Sequence, residues 1–248
     1  MVRNVLAKSG GAWNGVPWRS HEVTRVEALS DAVFAFAVAL LIVSLEVPQT
    51  FTELWARMQG FVAFAISFAV LFQVWYTQHI FFRRYGLQDG LTVSLNGVLL
   101  FLVLFYMYPL KFVFSLLVSE MTGGGGLVHL PGGRVEAMVE NAGQGSTLMA
   151  VYSLGFGAVF GIFALLYFRA LRKRGELELT DAEVFDARAS IEHNLLMVAV
   201  AALSISVLFA FDSSAWAGFS YMLIGPVMAV HGAWRGKQRR RLYEEPAR

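Results

Sequence analysis

Long apolar runs, separated by basic or glycine-rich connections, set the pattern of this chain. Six stand out, at about residues 29–47, 54–82, 91–118, 147–167, 193–211 and 215–230. Roughly 20 apolar residues cross the hydrocarbon core of a bilayer, so the pattern predicts an all-α integral membrane protein with six transmembrane helices. The first run, within RVEALSDAVFAFAVALLIVSLEV, carries a second pattern. Leu29, Val33, Phe36, Leu40, Val43 and Val47 recur at steps of three and four and so share one helix face. Several copies of that stripe around an axis would enclose a narrow, apolar, water-poor tube. Asp31 stands at the mouth of the same helix, where a carboxylate is too costly to face lipid and should meet protein or water.

Composition agrees with the pattern. Of the 248 residues, 56% are hydrophobic and 15% charged, and the mean hydropathy is +0.55; a soluble domain could not hide so much apolar surface. With no cysteine, disulfides, thiolate metal sites and cysteine catalysis are excluded. The net charge of +2 matters less than its placement. Arg3, Lys8, Arg19 and Arg25 precede the first run, Arg83 and Arg84 follow the second, and Arg169, Arg172, Lys173 and Arg174 follow the fourth. Arg235, Lys237, Arg239, Arg240 and Arg241 follow the sixth, whereas the connections at 48–53, 119–146 and 212–214 are poor in Lys and Arg. Every second connection is basic, which places both termini in the cytoplasm of a multi-pass cell-membrane protein. Residues 1–24 then form a cytoplasmic segment, 25–234 the six-helix domain and 235–248 a basic cytoplasmic tail. That tail reads as an orientation signal against anionic lipid, not as a nucleic-acid site.

The connection at 119–146 is long and glycine-rich. It lacks a TVGYG-like run and is too polar for membrane depth, so it reads as a flexible extracellular loop with His129 solvated, not as a selectivity filter. In the fourth run Ser153, Gly157 and Gly161 stand four residues apart, a small-residue face suited to close helix packing.

Signals for chemistry are scarce. There is no GxSxG, HExxH, P-loop or dinucleotide fingerprint, no pair of intramembrane carboxylates, and no metal or cofactor is expected. Glu192-His193-Asn194 reads as an interfacial cluster opening the fifth helix. A proton or cation secondary transporter would break its helices around a polar midplane site; only Pro109 and Pro226 lie well inside apolar runs, and polar residues at mid-depth are few. Ser30, Asp31, His79 and Asn96, with Arg25, all fall near the same membrane face. Polar groups at that depth are best satisfied by one another, so they read as a cluster that sets the tilt of the first helix. A proton relay through Asp31 and His79 is the alternative.

These residues resemble the transmembrane protein 175 family of prokaryotic and endosomal or lysosomal potassium channels. That family shows Arg, three residues, then Phe-Ser-Asp opening an apolar helix; here Arg25, Ser30 and Asp31 match and Leu29 replaces the Phe. WYTQHIFFRR, with Trp75 and His79, and LNGVLLFLVLFYMYP, with Asn96, extend the likeness over residues 25–112, Gln78 standing where a first His is usual. The resemblance implies a homotetramer with four copies of the first helix lining a pore, no filter loop, and constriction by apolar rings. By offset from Asp31 those rings are Phe36, Leu40 and Val43. The implied function is a potassium-permeable cation channel conducting passively, a weakly selective cation or proton leak being its nearest variant. Family members commonly carry Ile or Leu where Phe36 stands and Thr where Ala39 stands. Ala39 removes a candidate coordinating oxygen and leaves Ser44 as the nearest hydroxyl on this helix.

Overall fold

A computed structural model of the chain describes residues 12–13, 16–17, 23–43, 50–129 and 134–243. A two-residue pairing of β1 (Ala12–Trp13) with β2 (Val16–Pro17) lies ahead of the helices. Helix α1 (Arg25–Val43) opens with a capping box: the Glu27 amide donates to Thr24 Oγ1 at 3.2 Å, and the Thr24 amide donates to the Glu27 carboxylate at 2.9 Å. Two orphan amides of the first turn are satisfied in this way. The long α2 (Phe51–Tyr85) ends in a tight turn at Gly86, whose φ of 60° is open to glycine at no steric cost. Asp89 then precedes α3 (Gly90–Met121) and accepts from the Thr92 hydroxyl at 2.6 Å.

Part of the glycine-rich connection is paired as two short strands. Gly123, Gly125 and Gly126 take positive φ, so the chain reverses after α3, and β3 (Leu127–His129) pairs antiparallel with β4 (Val135–Ala137). Asn141 caps α4 (Ala142–Arg172), its side chain accepting from the Gln144 amide at 2.9 Å. A second capping box, Thr180 with Glu183, starts α5 (Asp181–Phe211). The chain closes with the short α6 (Ser214–Phe219), a 3-10 turn at Ser220–Leu223 and α7 (Ile224–Tyr243).

Among the described residues, Gly60–Tyr85, Gly90–Met121, Ala142–Arg172 and Asp181–Phe211 are long and apolar enough to cross a bilayer. The predicted six runs therefore correspond to these four, to α1, and to a last segment interrupted by the 3-10 turn. Two boundaries move. The fifth helix starts at Asp181, so Glu192-His193-Asn194 lies about three turns inside it and does not open it. Charged residues masked its first turns from a hydropathy reading. The last helix runs on through its basic residues to Tyr243.

α4 and α5 pack side by side along their lengths, α3 lies against α4, and α1 rests chiefly on α2 and α3. The main core gathers where α2, α3, α4 and α5 meet: Phe81, Phe82, Tyr85, Leu99, Phe163, Leu166 and Tyr167 are buried together, and Phe81 meets Tyr167 edge-on at 5.3 Å. Of the predicted small-residue face, Ser153 is buried and bonds to Ser204 at 3.1 Å, and a Cβ on Gly157 would sit 3.3 Å from the Ala201 methyl. Gly161 faces open space, whereas Gly155, outside that register, is pressed against the ring of Tyr106.

Candidate functional site

Helix α1 has two unlike faces. Glu27, Ser30, Phe34, Ala37 and Leu41, spaced by three and four, are buried against the rest of the chain. Ala32, Phe36 and Ala39 point away from it, and Leu29 and Phe36 are 61% and 57% exposed. Large apolar side chains left this bare need lipid or another chain against them. Of the predicted stripe, Leu29 and Phe36 stand on the bare face, while Val33 and Leu40 are half-buried at its edge. Val43 ends α1, but its side chain, like the whole of Ser44 and Val47, lies outside the described residues.

Four of the five residues predicted to form a polar cluster come together. Ser30 Oγ donates to the Val26 carbonyl at 2.8 Å and accepts from Asn96 Nδ2 at 3.0 Å. Asn96 Oδ1 in turn accepts from Gln78 Nε2 at 3.1 Å, and Ser30, Asn96 and Gln78 are all buried. One chain of hydrogen bonds thus ties α1 to α3 and α3 to α2. Beside it, Trp75 Nε1 donates to Asp31 Oδ1 at 2.7 Å, and His79 stacks on the Trp75 ring with centroids 5.4 Å apart. Arg25 is exposed and takes no part in these bonds. In its place, Glu27 pairs with Arg83 at 3.4 Å, so the acid of the capping box also binds α1 to the end of α2. The T-x-x-E spacing of Thr24 and Glu27 carried that signal; the roles of Trp75 and Gln78 needed the packing.

The arginine-rich end of the bundle is clamped by further ion pairs. Arg84 meets Asp186 at 2.5 Å with both side chains buried, and Arg239 reaches the other oxygen of Asp186 at 3.2 Å, joining α2, α5 and α7. Glu192 holds both Arg235 and His231 of α7. Asp89 bonds Arg169 of α4 at 2.5 Å. Burial pushes the Asp89 carboxyl up, but hydrogen bonds from Arg169 and Thr92 outweigh it and hold the group at about 2. At the far end of α1, Lys111 Nζ donates to the Leu41 carbonyl at 3.2 Å, placing a cation by carbonyls of the last described turn.

Between α1 and α2 lies an open groove of about 270 Å³, apolar except at the Asp31–Trp75 end and lined by Phe34, Val38, Phe68 and Phe72. Among the described residues no group of three His, Cys, Asp or Glu could hold a metal ion. The geometry offers a helix fastened at both ends, a bare apolar face, and a carboxylate at its mouth.

The same segment carries the family signal. The family model described as endosomal/lysosomal potassium channel TMEM175 matches residues 25–106, which span α1, α2 and the first half of α3. A potassium channel of Marivirga tractuosa is 40% identical over 254 residues, covering 98% of this chain and all of the relative. A potassium channel of Chamaesiphon minutus is 33% identical over 126 residues, 48% of this chain and 57% of its own. A crystal structure of the potassium channel MtTMEM175, a threonine-to-alanine variant in complex with a Nanobody-MBP fusion protein, superposes with a TM-score of 0.76 at 39% identity, covering 92% of this chain and 100% of that one.

Proposed function

We propose, because this chain belongs to the TMEM175 family of potassium channels, that α1 lines its ion path as one of several symmetric copies. The protein is a multi-pass, potassium-permeable membrane channel and not an enzyme. In the proposed assembly four chains, each contributing six spans, surround an axis with α1 innermost and both termini in the cytoplasm. Phe36, Leu40 and Val43 then form stacked apolar rings. A constriction of this kind gates by dewetting: water and ions leave the narrowest apolar section unless it widens.

The observation that carries the reading is the bare face of α1. Among the described residues Phe36 and Ala39 are left exposed, although Phe34, Ala37 and Leu41 on the opposite face of the same helix are buried. The buried Ser30–Asn96–Gln78 chain and the Asp31–Trp75 bond hold the helix at a set tilt and rotation. Rotation matters, because it decides which residues form the rings. His79 supports Trp75 by stacking, and no step requires it to carry a proton. At the level of Ala39 the path offers a methyl group where a hydroxyl would coordinate an ion, so discrimination there rests on width and dehydration.

The test is cation flux into liposomes holding the purified channel. Phe36→Ala is expected to raise potassium flux severalfold while moving the thermal unfolding midpoint little, since more than half of the side chain is exposed. Unchanged or lower flux from an intact assembly would remove Phe36 from the constriction. Comparing potassium with sodium in the same vesicles reads selectivity at the Ala39 level.

A further inference from the structure

We propose that α7 carries an anchoring site for an anionic phospholipid headgroup of the bilayer. Apart from the exposed Arg240, its cations are divided between two faces. His231, Arg235 and Arg239, spaced four residues apart, turn inward and are spent on Glu192 and Asp186 of α5. Val230, Trp234, Lys237 and Arg241, at steps of four, three and four, form an outer stripe, all exposed. Read along the helix, that stripe runs from an aliphatic residue 70% exposed, through an indole 58% exposed, to two cations. This is the order of environments met on leaving a bilayer: acyl chain, headgroup boundary, headgroup charge.

The indole is also held in place. The Arg235 guanidinium lies 4.9 Å over the Trp234 ring and 5.1 Å over that of Phe185, while Glu192 fixes its other side. The ion pairs therefore do two things. They neutralise the inner cations, and they aim the aromatic anchor outward at a fixed level. Among the described residues Lys237 and Arg241 have no acidic partner, and a phosphate whose acyl chains lie along Val230 and Trp234 meets both requirements of the stripe at once.

The experiment is native mass spectrometry of the channel extracted from equimolar phosphatidylcholine–phosphatidylglycerol vesicles, counting retained lipids. The anionic lipid is expected to be enriched, and each of Lys237→Gln and Arg241→Gln to lower the enrichment about fivefold. Lys237→Arg with Arg241→Lys should preserve it, which separates charge from fold, as should an unshifted elution volume of the neutralised variants. Equal retention of the two lipids by the natural chain would overturn the proposal, and so would undiminished enrichment in the doubly neutralised one. Displacement of the lipid by millimolar glycerol phosphate would mean a free-phosphate site and would also overturn it. The readout is lipid and not ion flux, so its failure is distinct from that of the channel mechanism.

Discussion

Helices α1 and α5 are both apolar, yet the molecule uses them in opposite ways. α5 is enclosed on two sides by its own chain. α4 meets it through Ser153–Ser204 and Gly157–Ala201, and α7 meets it through Glu192 and Asp186. Among the described residues α1 is buried along one face and is fastened by polar bonds near its ends: Glu27–Arg83, Ser30–Asn96 and Asp31–Trp75 at the mouth, Lys111–Leu41 at the other. Between those fastenings, Phe34 and Ala37 are buried in the apolar core. The difference separates a helix whose acids are matched by partners on neighbouring helices, although Leu195, Leu203 and Phe209 stay exposed on its outer side, from a helix fastened near its ends with Leu29 and Phe36 left bare.

Damage to the scaffold should cost the most. Asp186→Ala strands Arg84 in a buried site and takes one partner from Arg239, and removing one partner of a buried pair costs about 3–5 kcal/mol. A large drop in the unfolding midpoint in detergent is expected; a midpoint within a degree of the natural protein would show that these ion pairs do not hold α5 to its neighbours. Gly155→Ala comes next. Its new methyl would fall 2.3 Å from the Tyr106 ring, which is itself held by a bond from its hydroxyl to the Tyr152 carbonyl, so overpacking should cost about 1–3 kcal/mol. Gly161→Ala, with nothing near, is the matched control and should be neutral.

On the α1 side the expected signature differs in kind. Asn96→Leu leaves Ser30 and Gln78 without their shared partner, a loss of about 1–3 kcal/mol. Its main effect is expected on assembly, because α1 would lose its rotation. Light scattering behind gel filtration should find smaller particles while helix content stays constant. Unchanged particles would confine Asn96 to local packing. The smallest effect is a pH effect. Asp89 is held at about 2 in the folded chain against an ordinary 3.8, so its pairing with Arg169 stabilises fully above about pH 4. That contribution fades as pH falls from 4 towards 2, and Asp89→Asn should remove the fading portion of the melting curve's pH dependence.

The run lengths, the polar offsets of Ser30, Asp31 and Asn96, and the family likeness were legible because each is written within a few neighbouring residues. Arg25 illustrates the limit: it belongs to the same motif, yet the structure leaves it exposed and gives the ion pair to Glu27 and Arg83. Arg83, Arg84, Arg235 and Arg239 were readable as orientation charges, but nothing local says that Glu27, Asp186 and Glu192 neutralise them. The start of α5 was hidden for the same reason, since its buried Glu183 and Asp186 look like a solvated connection until their partners are known.

The sequence by itself determined the elements: membrane-length helices, the residues sharing a face on each, and a carboxylate at the mouth of the first. Periodicity does that because side-chain direction repeats with the backbone. Only the tertiary structure decided which face of α1 is bare, which charges are spent within the chain and which are left outward. Those depend on which distant segment arrives alongside, and a buried charge or an apolar face is settled by its neighbour, not by its own spacing.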